Sequence, residues 1–205
     1  MQREIEPVLT PHSAVFTGQT GCGKTQKVLD LLLNEYKFHF EYIVILCPTL
    51  EDNKTYHKCQ VLWTDDDVFL IDPKDQLLDL INKFSIMFRG FETLFILDDC
   101  IADEELDKKR TKLLNLAISG RHREHSLWLL TQSYTAIPKN LRRQKKMLFL
   151  WHPDDKADLK TIDNETNIID DDEEWKTIKK KLKDSKFGHL YLRSEHPRGY
   201  NVMNC

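Results

Sequence analysis

The sequence predicts an α/β fold, with a mostly parallel central sheet flanked by helices and followed by a C-terminal helix and β-hairpin extension. Three observations predict it. Short apolar runs without polar alternation recur between residues 14 and 151, as strands buried on both faces require. Between these runs lie stretches whose apolar residues repeat at helical spacing. A glycine-rich segment, Gly18–Thr25, joins the first run to the first such stretch.

In chain order, the strands are Ala14–Thr17, Tyr42–Cys47, Thr93–Leu97, Leu127–Thr131 and Met147–Trp151. The helices are Thr25–Tyr36, Lys74–Phe84, Asp103–Ile118 and a short turn after Pro138. Val61–Asp72 is ambiguous, although Val68-Phe69-Leu70-Ile71 fits an edge strand. Gly90 and Gly120 mark turns before the third and fourth strands. The last quarter changes character. The acidic run Asp170–Glu174 is answered by Lys179–Lys181, and Trp175, Ile178 and Leu182 share one helical face. Acids at the start of a helix and lysines toward its end complement its dipole. His189–Arg193 and Tyr200–Met203 then read as a hairpin turned at Ser194–Gly199.

With 205 residues the chain suits one domain, a core over about 12–153 and an extension over about 154–205. A hydrophobic share of 40% and a charged share of 31% place it among ordinary globular proteins rather than disordered chains. No apolar run approaches membrane-spanning length, so no membrane association is expected. The net charge of -3 argues against a chain covered in nucleic-acid-binding surface, but permits a local basic patch. Cys22, Cys47, Cys59, Cys100 and Cys205 are odd in number and form no C-x-x-C pair, which fits a reducing intracellular compartment. The polar start, Met1–Glu6, shows no secretory signal.

Gly18-Gln19-Thr20-Gly21-Cys22-Gly23-Lys24-Thr25 matches G-x-x-x-x-G-K-[ST], the phosphate-cradling P-loop, or Walker A. Glycines let successive N–H groups turn inward onto phosphate oxygens, and the next helix aims its positive end at them. Lys24 reaches the outer phosphates of ATP, and the Thr25 hydroxyl suits Mg²⁺. The run Thr93–Leu97 ends in Asp98 and Asp99, where ligands bind in open α/β sheets. This fits a Walker B pair. Asp98 would hold Mg²⁺ and Asp99 would orient or deprotonate water, a pairing suited to ATP hydrolysis. Leu127–Thr131 brings Gln132 to the same edge, where an amide can donate to the γ-phosphate.

These motifs, followed in order by Ser119-Gly120-Arg121-His122, Leu130-Thr131-Gln132-Ser133 and Ile137-Pro138-Lys139-Asn140-Leu141-Arg142, resemble a known family. It is that of the poxvirus-type genome-packaging ATPases of double-stranded DNA viruses, virophages and related mobile elements. They belong to the FtsK–HerA superfamily of DNA pumps. The similarity spans roughly residues 12–150. It implies a P-loop NTPase of the ASCE type, with an extra strand between the P-loop strand and the Walker B strand. The strand ending in Thr131-Gln132 would fill that slot, and Gln132 would sense the γ-phosphate. It also implies a homo-oligomeric ring, a pentamer or hexamer, with ATP and Mg²⁺ at subunit borders. A neighbour's arginine would complete each site, with Arg121 first in line and Arg142 second. Cys22 stands where a small hydroxyl residue is common, and Gln144 near where an asparagine often follows.

The function implied is an ATP-hydrolysing translocase that drives double-stranded DNA, without sequence preference, into a capsid. It would act at the viral assembly site, in host cytoplasm or a viral factory or on the virion, with capsid protein as a further partner. Alternatives are a related helicase or DNA-transfer ATPase, and a nucleotide-binding switch or scaffold. Lys139, Arg142, Arg143, Lys145 and Lys146 form the densest basic cluster, read either as a solvated helix or as contacts to a phosphate backbone. Lys179–Lys181 and Lys183 form a second cluster that the acidic run beside it can neutralise. Arg121, His122, Arg123 and His125 are either a solvated basic turn or a source of charge for phosphoryl transfer. A metal held by His122, His125 and Cys100 is disfavoured by spacing. Trp63, Trp128, Trp151 and Trp175 are read as packing residues.

Overall fold

The computed structural model describes residues 7–59, 64–100, 113, 115–153, 155–165, 169 and 171–204. Among these, eight strands build one sheet: β1 (Ser13–Thr17), β2 (Tyr42–Leu46), β3 (Val68–Ile71), β4 (Thr93–Asp98), β5 (His125–Thr131), β6 (Lys145–Trp151), β7 (His189–Arg193) and β8 (Gly199–Met203). Their order is β3-β2-β4-β5-β1-β6-β7-β8. The first six run parallel. The C-terminal hairpin adds two antiparallel strands to the edge at β6. Val68–Ile71 is the opposite edge strand, and β5 lies between β1 and β4 as the resemblance implied.

The helices are α1 (Lys24–Leu33), α2 (Lys54–Lys58), α3 (Leu77–Met87), α4 (Lys139–Arg142), α5 (Lys156–Glu165) and α6 (Asp172–Asp184). Alternation along the strands feeds two cores. Leu94 and Ile96 of β4 join α1 residues Val28 and Leu31 and α2 residue Tyr56 on one face. Phe95 and Leu97 join Ile81 of α3, Ile162 of α5, and Ile178 and Leu182 of α6 on the other. That two-sided burial is why the parallel strands read as unbroken apolar runs. Trp128 and Trp151 are buried in the α1-side core, and Trp175 packs against the opposite one.

Element ends differ modestly from expectation. α1 stops at Leu33 rather than Tyr36, and a 3₁₀ turn at Lys74–Gln76 precedes α3, which runs on to Met87. Residues 103–112 and 114 of the expected helix Asp103–Ile118, together with Trp63, Asp170 and Cys205, lie outside the described residues, while 115–119 are helical. α5 was not expected. It buries only Asp158 and Ile162, so it lacks the apolar stripe that announces a helix. α6 begins as its charge pattern suggested, with the Asp171 carboxylate accepting from the N–H groups of Glu173 and Glu174. No helix among the described residues is long and apolar enough to cross a membrane.

Candidate active site

The register of the sheet sets the site. Thr17 pairs with Thr131, and Asp98 with Leu130, so β1, β4 and β5 end side by side. The chain leaves β1 through Gly18, whose N–H donates to the Thr131 carbonyl at 3.3 Å. A Cβ at Gly18 would lie 2.5 Å from Cβ of Trp151, so only glycine lets this turn pass β6. Gly23, with φ of 103°, occupies the left-handed region and leads directly into α1. Gln19, Thr20 and Gly21 form an exposed rim, while Cys22 is buried, which raises its thiol pKa against the pull of nearby Lys24.

Lys24 opens α1 almost fully buried, its ammonium donating to the carbonyl oxygens of Gly18 (2.7 Å) and Gln19 (2.9 Å). Thr25 donates its hydroxyl to Oδ2 of Asp98 at 3.1 Å. The same oxygen receives the phenol of Tyr56 at 2.9 Å. Burial pushes the Asp98 carboxyl above its usual range, with Asp99 adding to the rise, while the Tyr56 and Thr25 hydrogen bonds and the Lys24 charge oppose it. Asp99 follows in the left-handed region with φ of 51°, a conformation more tolerated by Asp than by most side chains. Its Oδ2 receives the Gln132 amide at 3.2 Å. The five residues expected to share one centre, Lys24, Thr25, Asp98, Asp99 and Gln132, are therefore brought together. A hydroxyl and a carboxylate 3.1 Å apart are hard oxygen donors of the kind Mg²⁺ takes, so the residues fit that ion.

Arg121 is exposed on a 3₁₀ turn, Gly120–Arg123, that precedes β5. The seven-residue strand separates it from Gln132 by about 20 Å, so it cannot serve its own site. Arg123 instead donates to Ser85 at 2.7 Å. His125 is buried against Ser85 and the Phe88 carbonyl. It is level with Thr93 at the start of β4, whereas Cys100 lies beyond that strand's end, so these residues and His122 do not converge. Among the described residues, no group of three His, Cys, Asp or Glu side chains could hold a metal.

The basic cluster is corrected in three places. Arg142, expected as second choice for a finger reaching a neighbour, is buried. Its guanidinium grips Glu165 bidentately at 2.8 and 3.0 Å and also donates to the Ile137 carbonyl. A buried fork committed on this scale has no donor edge left for an adjoining subunit. Lys145 is turned inward, donating to the Arg142 carbonyl over the face of Tyr134, and burial lowers its pKa. Lys146 is held between Glu195 at 2.9 Å and the Thr10 hydroxyl at 3.1 Å. Of the expected DNA contacts, Lys139 and Arg143 remain exposed. In the second cluster, Lys179 pairs with Asp163 at 3.2 Å.

Three residues near the site carried no sequence signal. One is Tyr56. The others are Asp158 and Glu165, seven positions apart on α5. Asp158 is 1% exposed and accepts from the N–H groups of Tyr134 and Thr135, both at 2.8 Å, and from the hydroxyls of Ser133 at 3.2 Å and Thr135 at 2.7 Å. Glu165 accepts from the Tyr134 phenol at 3.0 Å as well as from Arg142. Together they fasten the segment that follows Gln132. Burial works to raise the Glu165 carboxyl, but the Arg142 and Tyr134 hydrogen bonds prevail and hold it below its usual range.

Solved structures share this fold. The DNA-packaging ATPase B204 from Sulfolobus Turreted Icosahedral Virus superposes with a TM-score of 0.69 at 14% identity, covering 95% of this chain and 98% of that one. The genome packaging NTPase B204 from Sulfolobus turreted icosahedral virus 2, in complex with AMPPCP, gives 0.69 at 14% identity, over 93% and 96%. The pCW3 conjugation coupling protein TcpA, in monomer form with ATPgS, gives 0.61 at 13% identity, over 94% of this chain and 60% of that one. At these identities the likeness speaks to fold. No curated protein matched by sequence. The model of the family described as Poxvirus A32 protein matches residues 8–171, most of the chain and all of the site above. The chain belongs to that poxvirus A32 family of genome-packaging ATPases.

Proposed function

We propose that the protein is a ring-forming, ATP-hydrolysing motor that moves double-stranded DNA into a viral capsid at the assembly site of an infected cell. The observation that carries this reading is the convergence of Lys24, Thr25, Asp98, Asp99 and Gln132 on one sheet edge. The P-loop N–H groups and Lys24 bind the phosphates of ATP, the phosphate oxygens replacing the carbonyls that Lys24 now holds. Thr25 and Asp98 would hold Mg²⁺, which when bound neutralises phosphate charge and orients the β- and γ-oxygens.

The Oδ2 atom of Asp99 is occupied by the Gln132 amide, so Oδ1 takes the proton of the attacking water. Water oxygen bonds to the γ-phosphorus as the bond to the bridging oxygen breaks, and ADP leaves with that oxygen. Gln132, tied to Asp99, registers whether the γ-phosphate is present. Arg121 of a neighbouring subunit stabilises charge on the transferring group, a role its distance from its own site restricts to a second copy. Lys139 and Arg143 contact the DNA backbone, an interaction that needs no base reading. A pentameric or hexameric ring and a capsid protein complete the set of partners.

Hydrolysis measured against protein concentration, with and without duplex DNA, tests the reading. The expected result is a specific activity that climbs with concentration and rises further with duplex. A monomer that hydrolyses ATP at full rate and ignores DNA would overturn it. Stimulation by single strands alone would point to a helicase instead. Asp99→Asn should keep ATP binding and lose turnover by orders of magnitude, whereas a nucleotide-regulated scaffold would change little.

A further inference from the structure

The site contains one side chain that the hydrolysis scheme does not use. Tyr56 lies in the crossover between β2 and β3, far in sequence from the motifs, yet its phenol reaches the Walker B carboxylate. The segment around it is built to hold that phenol. Asn53 caps α2, its side-chain oxygen accepting from the N–H groups of Thr55 at 3.2 Å and Tyr56 at 3.4 Å, while its amide reaches the Cys47 sulfur at 3.9 Å. The Tyr56 ring is fully buried in the core that also takes Val28, Leu31 and Ile45, so neither of its torsions is free.

Asp98 is buried too, in a place where a carboxylate is costly unless hydrogen-bonded. Its Oδ2 has two hydroxyl donors, Thr25 and Tyr56. Thr25 belongs to the P-loop and is the group whose oxygen would turn to a cation. Tyr56 belongs to the core, where packing rather than the P-loop holds its ring. We propose that Tyr56 is a positioning residue that holds the Asp98 carboxylate in the orientation required for magnesium-dependent nucleotide binding. The inference rests on the reading of Asp98 as the magnesium-side carboxylate. It goes beyond that reading by making a core tyrosine, rather than the motif alone, the determinant of how the carboxylate is presented.

The test is binding of a fluorescent, non-hydrolysable ATP analogue to the full chain, titrated with MgCl₂ and repeated in EDTA, for wild type and Tyr56→Phe. Loss of the phenol leaves phosphate contacts to Lys24 and the P-loop intact, so affinity in EDTA should stay within about twofold. The Mg²⁺ concentration giving half-maximal enhancement should rise about tenfold, the scale of one charge-assisted hydrogen bond. A purely structural tyrosine would lower the melting temperature and leave the two Mg²⁺ titrations superimposed, which would overturn the proposal. If wild type itself shows no Mg²⁺ enhancement, the reading of Asp98 fails first and the proposal falls with it. Should Tyr56→Phe not fold, Asn53→Ala, which loosens α2 but keeps the phenol, takes its place. A two- to fivefold rise in the Mg²⁺ requirement is expected there, and an unchanged value overturns the proposal.

Discussion

Replacing Asp158 with alanine tests whether α5 holds the segment beyond Gln132. The carboxylate takes two backbone N–H groups and two hydroxyls, and these four partners differ in what they lose. The Ser133 and Thr135 hydroxyls can rotate toward water, and the Thr135 N–H belongs to an exposed residue. Tyr134 is fully buried, so its N–H is stranded, at a cost of about 1–3 kcal/mol. Weaker losses at the other three bring the total to about 2–4 kcal/mol. For a chain of this length that corresponds to a fall in Tm of about 5–12 °C. Asp158→Asn keeps one carbonyl acceptor and should lose about half as much. Circular-dichroism melts at neutral pH give the sizes, and hydrogen exchange at the Tyr134 and Thr135 amides gives the place. An alanine variant that melts within 2 °C of wild type, with those amides still protected, would refute the reasoning.

Four further outcomes are expected. Arg121→Ala should melt like wild type but, mixed with wild-type subunits, depress ATP turnover more than its fraction predicts. Arg142→Ala should instead lose about 1–3 kcal/mol in urea unfolding, because the half-buried Glu165 loses its bidentate partner and keeps only the Tyr134 phenol. His12 and His189 are buried neutral, with pKa values lowered by burial to about 4, well below the ordinary histidine value of about 6.5, so the unfolded chain binds their protons more readily. Their contribution is complete above about pH 6.5 and is lost as pH falls toward 4, about 3 kcal/mol each, which a pH series of melts will read and His12→Asn should flatten. Gly18→Ala should weaken nucleotide affinity at least tenfold in an analogue titration, because its methyl would meet Trp151 at 2.5 Å and displace the loop.

Legibility of this chain follows the distance over which each interaction is written. Gly18–Thr25 and Leu97-Asp98-Asp99 could be read because their chemistry is local: consecutive residues make the anion cradle and the acidic strand end. The buried strands could be read because a two-sided core imposes apolar runs. Tyr56 could not, since its partner is 42 positions away and nothing in its neighbourhood distinguishes it from any core tyrosine. Arg142 and Lys146 read as exposed charge, free for a neighbouring subunit or for DNA, because a basic cluster has the same spelling whether its partners are outside the chain or are carboxylates 23 and 49 residues downstream. Helix α5 was illegible for a related reason. Its inward face is anchored by a carboxylate, and a buried Asp is written identically to an exposed one.

One consequence lies in the strand between the P-loop and the acidic pair. β5 is laced to β1 on one side and β4 on the other, so it behaves as an inextensible rod. Gln132 is mounted at one tip and the Arg121 turn at the other. A displacement at the tip where the terminal phosphate arrives or departs is shared with β1 and β4 and reaches the Arg121 turn, at the far side of the subunit, only as a movement of these strands together. On the roles proposed here, that far side is the next protomer's catalytic pocket, and each firing would cock the one beside it.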